Sequence, residues 1–289
     1  MNMSGYKLKT VRKDNRAMQH VGKVFLYIVL IGLALFTLIP FVWMLSASLK
    51  LDREVFSFPM KWIPETFHWE NYLVIWTKVP MLMFFRNTAI VALSVTLIQT
   101  LTSSFAAYAF AKLHFRGRDT LFLCYIATIA VPWQTYMIPQ FIEMRAFGLY
   151  DNLQAIMVLQ AFSAFGVFLM RQFYQGIPSE LCEAARIDGL SEYGIWARIM
   201  LPLSKAAIAT LVIFTFVGTW NDYMGPMIYL SHDSVKTVQV GLRRFIQENS
   251  SDYHLIMAAS VVSLIPVSIV FLCLQKYFIE GIATSGLKG

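Results

Sequence analysis

Six long stretches without a charged side chain dominate the pattern of this chain. They cover residues 24 to 49, 87 to 111, 120 to 142, 152 to 170, 206 to 221 and 255 to 275. Each approaches the ~20 residues that an α-helix needs to cross ~30 Å of hydrocarbon. The fifth stretch extends past a single Asp222 to about Leu230. The pattern predicts an all-α integral membrane protein with six transmembrane helices.

The composition agrees with this fold class. Of the 289 residues, 57% are hydrophobic and only 14% are charged, whereas soluble domains are about 45–50% apolar. The net charge of +7 does not indicate nucleic-acid binding, because the basic residues cluster next to membrane ends. The three cysteines are far apart without CxxC spacing, so neither a metal site nor a disulfide framework is expected.

The distribution of Lys and Arg predicts the orientation in the membrane. Six spans place both termini on one side, and that side carries 15 of the 24 Lys and Arg residues. We therefore expect cytoplasmic termini and a multi-pass protein of a bacterial-type cytoplasmic membrane. The first stretch has 26 residues and no small-residue cleavage site, which favours a retained span over a signal peptide.

The same pattern divides the chain into three regions. A basic cytoplasmic tail is followed by the six-span domain and by a short cytoplasmic tail. The six-span domain contains one long inner loop and two long outer loops. These regions are residues 1–23, 24–281 and 282–289, with the inner loop at 171–205 and the outer loops at 50–86 and 231–254.

Small residues and prolines mark special positions in the spans. The second and fourth stretches carry small residues, among them Ser103 and Gly166, which let helices approach closely in lipid. The third contains Pro132 and Pro139, each of which interrupts the helical hydrogen-bond ladder. A broken helix lining a pathway and a kinked packing helix both remain open for this span.

The polar stretch from Pro178 to Ser204 interrupts this apolar pattern. Ser179 is a candidate N-cap of a short helix, and Gly189 is a candidate stop, because glycine accepts the left-handed conformation. Ser191 offers a second N-cap. We therefore expect a helix, a turn and a second helix along the inner face of the membrane.

The face of the first helix leaves two interpretations open. Leu181, Ala184, Ala185 and Asp188 fall on one side, and the alanines make that side shallow. Such a face suits docking into a groove of another protein. An amphipathic helix resting on lipid headgroups explains the same residues.

This stretch carries a resemblance that favours docking. It has the sequence pattern E-A-A, three residues, G, nine residues, I, one residue, L-P, formed by Glu183, Ala184, Ala185, Gly189, Ile199, Leu201 and Pro202. The pattern resembles the EAA loop of the permease subunits of ATP-binding-cassette importers. The resemblance implies that Glu183 is the charged contact to a cytoplasmic ATPase, that Ala184, Ala185 and Gly189 form the close-fitting surface, with Asp188 beside them, and that Pro202 returns the chain to the membrane.

The resemblance extends over nearly the whole chain, to the MalG-like carbohydrate branch of this family. It is carried by Ala47 to Lys50, Trp62-Ile63-Pro64, Asn71-Tyr72, Arg86-Asn87-Thr88, Phe105 to Ala111, Thr219 to Asp222 and the C-terminal tail. Ser285-Gly286-Leu287 departs mildly from the family's usual Gly-Ala-Val. By this resemblance Ser285, Gly286, Leu287 and Lys288 are also candidate ATPase contacts.

The resemblance also implies a set of partners. They are a second homologous permease subunit, a cytoplasmic ABC ATPase dimer, an extracytoplasmic solute-binding protein that the outer loop 231–254 contacts, the lipid bilayer and a sugar substrate. No cofactor is expected on this chain, since the ATPase would use ATP and Mg. The chain has no GxxxxGK[ST] phosphate loop, so it is not expected to be an enzyme.

Trp220, Asn221 and Asp222 are candidates for the substrate pathway. An aromatic face stacks on sugar rings and an amide bonds hydroxyls, which makes Trp220 and Asn221 a plausible pair. Asp222 is the one acid inside an apolar run, where an ionisable residue is a functional candidate. For Asp222 we favour capping or pairing at an outer gate over direct contact with substrate.

Two other classes of protein explain the pattern less well. An ion-coupled secondary carrier predicts ionisable residues near mid-bilayer and an internal repeat. An integral membrane enzyme predicts clustered His or acidic residues at a membrane face. The sequence shows neither set of features clearly.

Overall fold

The computed structural model describes residues 4–246 and 252–286, and the side chains of residues 20–246 and 252–279. The regular elements in these ranges are helical, which confirms the all-α fold. In chain order the first eight helices are α1 (Ser4–Ser48), α2 (Asp52–Val55), α3 (Asn71–Lys78), α4 (Met81–Lys112), α5 (Arg118–Ala127), α6 (Met137–Ala146), α7 (Leu153–Leu159) and α8 (Ala164–Gln175).

Seven more helices follow. They are α9 (Glu180–Ile187), α10 (Glu192–Ile195), α11 (Leu201–Leu203), α12 (Lys205–Trp220), α13 (Met224–Tyr229), α14 (Val238–Leu242) and α15 (Tyr253–Gly286). A π-helical turn, Trp196–Met200, joins α10 to α11. Short 3-10 turns lie at Thr128–Ala130, Trp133–Thr135, Asp233–Val235 and Arg243–Phe245.

Three helices of the described chain are long and apolar enough to cross a membrane. They are His20–Ser48 within α1, all of α4, and Tyr253–Ile279 within α15. Two bent pairs, Leu153–Leu159 with Ala164–Gln175 and Glu192–Leu203 with Lys205–Trp220, raise the number to five if each is one span. The structure therefore does not confirm the predicted count of six.

The third predicted span is the one that fails this test, because it is broken. Helix α5 ends at Ala127, two 3-10 turns follow, and α6 begins at Met137. Pro132 lies in this break with extended backbone, at φ −61° and ψ 134°. Pro139 does not break a helix, since it lies in the first turn of α6, where its missing N–H has no partner to lose.

The chain forms two compact units, and the first comprises Met1–Asn71 and Asp252–Val261. In it the outer loop folds back onto the end of α1. Asn71 donates from Nδ2 to the carbonyl oxygens of Ser48 and Lys50, at 2.9 Å each. Lys50 is 1% exposed and its Nζ lies 4.3 Å from the centre of the Trp43 ring. These residues carry part of the family resemblance, and here they hold the loop.

The second unit comprises Tyr72–Ser251 and Val262–Gly289. Its central element is α4, which packs along α8 and α12. A Cβ added to Gly166 would come within 3.0 Å of Ser103 Cβ and 3.2 Å of Leu211 Cδ1. The small residues at this crossing confirm the predicted close approach of helices.

Candidate functional site

The polar inner loop, residues 171–205, is attached to the C-terminal end of α4. Lys112 lies there, is 7% exposed and donates from Nζ to the carbonyl oxygen of Ile177 at 2.5 Å. The same Nζ donates to Ser179 Oγ at 3.4 Å. Ser179 precedes α9 as predicted, but its side chain makes no capping bond. The predicted cap is wrong in this respect, because the hydroxyl of Ser179 accepts from Lys112.

Helix α9 ends in a glycine-dependent cap, as predicted. Gly189 has φ +82°, a conformation that costs residues with a side chain energy. The Gly189 N–H donates to the Arg186 carbonyl at 3.0 Å and the Leu190 N–H to the Ala185 carbonyl at 2.9 Å. This pair of bonds is the Schellman motif. No atom lies within 4 Å of a Cβ added to Gly189, so its constraint is the backbone angle.

The second helix of the loop begins as predicted at Ser191. Its hydroxyl accepts a hydrogen bond from the Gly194 N–H at 3.3 Å. Ile199 and Leu201 are half-buried and Pro202 is exposed. The pair Glu192–Leu203 and Lys205–Trp220 bends by 83°, so this part of the loop runs nearly perpendicular to α12. Pro202 thus lies just before the turn into the fifth predicted span.

The two faces of α9 have different surroundings. Cys182 and Ala185 are 1% and 5% exposed, and they pack in a cluster with Tyr174 and Met200. Glu183, Ala184 and Asp188 are exposed. The prediction that Ala184 and Ala185 share an outward face is therefore wrong for Ala185. Its small side chain instead lets α9 lie close to the membrane domain.

The exposed face of α9 includes an apolar residue that sequence reasoning missed. Ile187 is 87% exposed and Leu181 is 44% exposed. The Ile187 side chain is therefore available for contact with a partner, next to the exposed Glu183 and Asp188. The sequence contained a signal for this residue, since Ile187 follows Glu183 by four residues and the two therefore lie on one face of the helix.

A network of polar contacts joins α9 and α10 to α4. Arg186 donates to Glu192 from Nε at 2.7 Å and from Nη2 at 3.2 Å. Tyr108 of α4 donates from Oη to Glu192 Oε2 at 2.5 Å. The bond from Arg186 is the main cause that lowers the pKa of Glu192. Glu192 therefore links both short helices of the loop to a membrane helix.

The three pathway candidates have different surroundings. Trp220 is 2% exposed, donates from Nε1 to the Ser263 carbonyl at 3.1 Å and stacks on Phe216 at 5.5 Å between ring centres. It packs between helices and not on an exposed surface, and its role in the substrate pathway remains a prediction. Asn221 is exposed and accepts from Gln239 Nε2 at 3.1 Å.

Asp222 makes the contacts expected of a capping residue. Its Oδ1 accepts from the Gly225 N–H at 3.1 Å, at the start of α13. Its Oδ2 accepts from Gln160 Nε2 at 2.8 Å, and Gln160 accepts in turn from Thr219 Oγ1 at 2.9 Å. Gln160 lies in the bend between α7 and α8, so this network fixes two helix breaks to each other.

The outer loop 231–254 is attached to the N-terminal end of α4. Asn87 donates from Nδ2 to the carbonyl oxygens of Ser234 and Lys236, at 2.9 Å each. Thr88 Oγ1 accepts from the Val238 N–H at 2.8 Å. A Cβ on Gly241 would overlap the ring of Phe84. Asn87 and Thr88, which belong to the resemblance, thus hold the first half of this loop.

The C-terminal candidates lie at and beyond the end of the described chain. Ser285 and Gly286 end α15, but their side chains lie outside the described residues. Leu287 and Lys288 lie outside the described residues altogether. Their contact with an ATPase remains a prediction.

Comparison with known proteins gives consistent matches. Residues 99–284 match the family model of the binding-protein-dependent transport system inner membrane component. The chain is 30% identical to the arabinooligosaccharides transport system permease protein AraQ of Halalkalibacterium halodurans, over 89% of this chain and 93% of that protein. It is 32% identical to the sn-glycerol-3-phosphate transport system permease protein UgpE of Yersinia pestis bv. Antiqua, over 91% of this chain and 96% of that protein.

A solved structure matches as well. It is the crystal structure of a bacterial ABC transporter involved in the import of the acidic polysaccharide alginate. The TM-score is 0.77 at 28% identity, and the match covers 92% of this chain and 98% of that chain.

Proposed function

Because this chain belongs to the family of binding-protein-dependent transport system inner membrane components, we propose that it forms half of the translocation pathway of an ATP-driven importer. The proposed cargo of this importer is a sugar or sugar derivative. The transmembrane permease role follows from the family. The sugar class is supported by the similarity to an arabinooligosaccharide permease and to a transporter involved in the import of the polysaccharide alginate.

Transport is driven by a separate ATPase dimer, which uses ATP and Mg. The other partners are a second related permease and an extracytoplasmic solute-binding protein. The loop 171–205 and both termini face the cytoplasm. This orientation is supported by the distribution of Lys and Arg.

The observation that carries the coupling role is the two-sided construction of α9. One side is fixed to the membrane domain, through buried Cys182 and Ala185 and through Arg186 and Glu192. The other side presents Glu183 and Ile187 to the surroundings. A helix of this kind seats in a groove of a partner, and closure of the partner then moves the attached helices as a rigid body.

The test is a charge reversal on the exposed face. Glu183→Lys should reduce co-purification of the ATPase and sugar-dependent uptake, because it places a cation where the partner meets an anion. Glu143→Lys on α6, which is also an exposed carboxylate, is the matched control and should assemble normally. Normal assembly and transport by Glu183→Lys, together with the same result for a bulky residue at Gly189, would refute the coupling role.

A further inference from the structure

A basic cavity lies at the end of α4 opposite to the coupling loop. It has a volume of ≈ 450 Å³ and is lined by residues of α13 and of the outer loop. Its wall is fixed to α4 by the bond from Asn87 Nδ2 to the Lys236 carbonyl. Asn87 and Lys112, at the two ends of α4, are about 37 Å apart at 1.5 Å per residue.

The charges of this cavity are unbalanced. Lys236, Arg243 and Arg244 line it, and among the residues that the structure describes no acidic side chain lines it. The nearest carboxylate that bonds to them is Asp233, which pairs with Lys236 at 2.8 Å and also with Arg244. The single carboxylate of Asp233 therefore pairs with two cations. Arg244 and Lys236 keep further N–H donors for a ligand, since a guanidinium has five and an ammonium three.

Arg243 is oriented by uncharged groups, and within the described part of the chain no carboxylate bonds to it. Its Nη1 donates to Tyr223 Oη at 2.6 Å, and its guanidinium carbon lies 6.0 Å from the centre of the Tyr223 ring. The side chain is exposed. A neutral phenol orients the guanidinium but leaves its full positive charge to attract an anion.

The remaining lining of the cavity is apolar and aromatic. Tyr223, Met227 and Leu230 contribute to it. Sugars carry apolar C–H faces that pack on aromatic rings, and an acidic sugar adds a carboxylate or phosphate that a guanidinium binds in bidentate geometry. Tyr223 directly follows the pathway candidates Asn221 and Asp222.

We propose that this cavity binds the anionic group of an acidic sugar, a uronate or a sugar phosphate, and that the cargo of this permease is negatively charged. The inference rests on the proposed function and names its substrate class. The volume of ≈ 450 Å³ lies within the range of about 300–1,000 Å³ that is usual for small-molecule sites.

The test uses the assembled importer in phosphatidylcholine nanodiscs without nucleotide. Binding of trigalacturonate and glucose 6-phosphate is measured by calorimetry beside the neutral maltotriose and glucose. At least one acidic probe should bind more tightly than its neutral counterpart, and added salt should weaken that difference. Arg243→Gln should weaken acid binding by about tenfold to a hundredfold, through loss of a charge-assisted contact.

Matched variants keep the result interpretable. Lys236→Gln tests a second cation of the cavity, and Arg53→Gln removes an exposed arginine that does not line it. Equal binding of acidic and neutral probes, or acid binding that neither cavity variant weakens, would overturn the proposal.

If anionic lipid abolishes acid binding, the cavity is a headgroup site. If Arg243→Gln weakens only docking of the solute-binding protein, it is a protein contact. ATP-driven uptake of a neutral sugar alone would overturn the substrate class and leave the proposed function standing.

Discussion

Replacing Glu192 by alanine should disconnect the coupling loop from α4. Tyr108 is 1% exposed, and its hydroxyl donates to Glu192. Losing the acceptor leaves a buried hydroxyl unpaired, which costs about 1–3 kcal/mol. The Arg186–Glu192 pair adds only about 0.2–1 kcal/mol, because its side chains are 37% and 42% exposed. The attachment of the loop should weaken by roughly 1–4 kcal/mol in total.

A double-mutant cycle separates the Tyr108 bond from other effects of the change. Tyr108→Phe removes the donor and should cost about 0.5–1.5 kcal/mol. In the double variant no buried hydroxyl is orphaned, so its loss of stability should be smaller than the sum of the two single losses. Stability is measured as the thermal unfolding midpoint of the purified importer.

The functional readout is the number of ATP molecules hydrolysed per sugar imported in proteoliposomes. A loosened loop can follow the ATPase without moving α4, so this ratio should rise in Glu192→Ala. A variant that loses stability but keeps the ratio of the wild type would refute the link between Glu192 and coupling. Additive losses in the cycle would refute the energetic importance of the Tyr108 bond.

Three further predictions follow from the same region and from the outer end of the pathway. Gly189→Ala should destabilise the loop by about 1–2 kcal/mol because of the positive φ. Gly189→Asn should cost less, since Asn tolerates this conformation. A lower unfolding midpoint for Gly189→Asn than for Gly189→Ala would contradict this. The pKa of Glu192 is lowered from 4.5, so its contribution should be complete above about pH 4.5 and be lost as the pH falls through the lowered pKa. The difference in melting temperature between wild type and Glu192→Gln should therefore be constant above about pH 5 and shrink below pH 4.5; a difference that grows on acidification would contradict it. Asp222→Asn should assemble normally, because an amide oxygen can accept the Gly225 N–H bond. Asp222→Ala should lower the stability by about 1.5–3 kcal/mol. Loss of the complex in Asp222→Asn, measured by size exclusion, would show that the charge itself is needed for assembly.

Local chemistry explains the parts of the coupling loop that could be predicted from sequence. Gly189 and Ser191 act through backbone atoms within four residues of themselves. The side chain of Ser179 was assigned wrongly, because its partner Lys112 lies 67 residues away. A local rule for N-caps cannot include a competing donor from another helix.

Tertiary contacts explain the remaining differences. Glu192 and Tyr108 are 84 residues apart, so neither periodicity nor capping rules could join them. Ala185 was predicted to lie on the docking face and Trp220 to be a candidate sugar contact, but both are buried by packing that the residue types alone do not reveal. For the third span the sequence left a broken helix and a kinked helix open. The chain breaks at Pro132, whereas Pro139 is accommodated because it lies in a first helical turn.

Cross-linking at two adjacent alanines tests the central claim most directly. Ala184 is exposed and Ala185 is 5% exposed, although the two are neighbours on α9. Each is replaced by cysteine in a chain whose Cys124, Cys182 and Cys273 are serine or alanine, and a short thiol-to-amine cross-linker is added to the assembled importer. Docking of the exposed face of α9 on the ATPase predicts a cross-linked product from Ala184→Cys and little from Ala185→Cys. No product from Ala184→Cys, or equal product from both, would contradict docking of α9 on the ATPase.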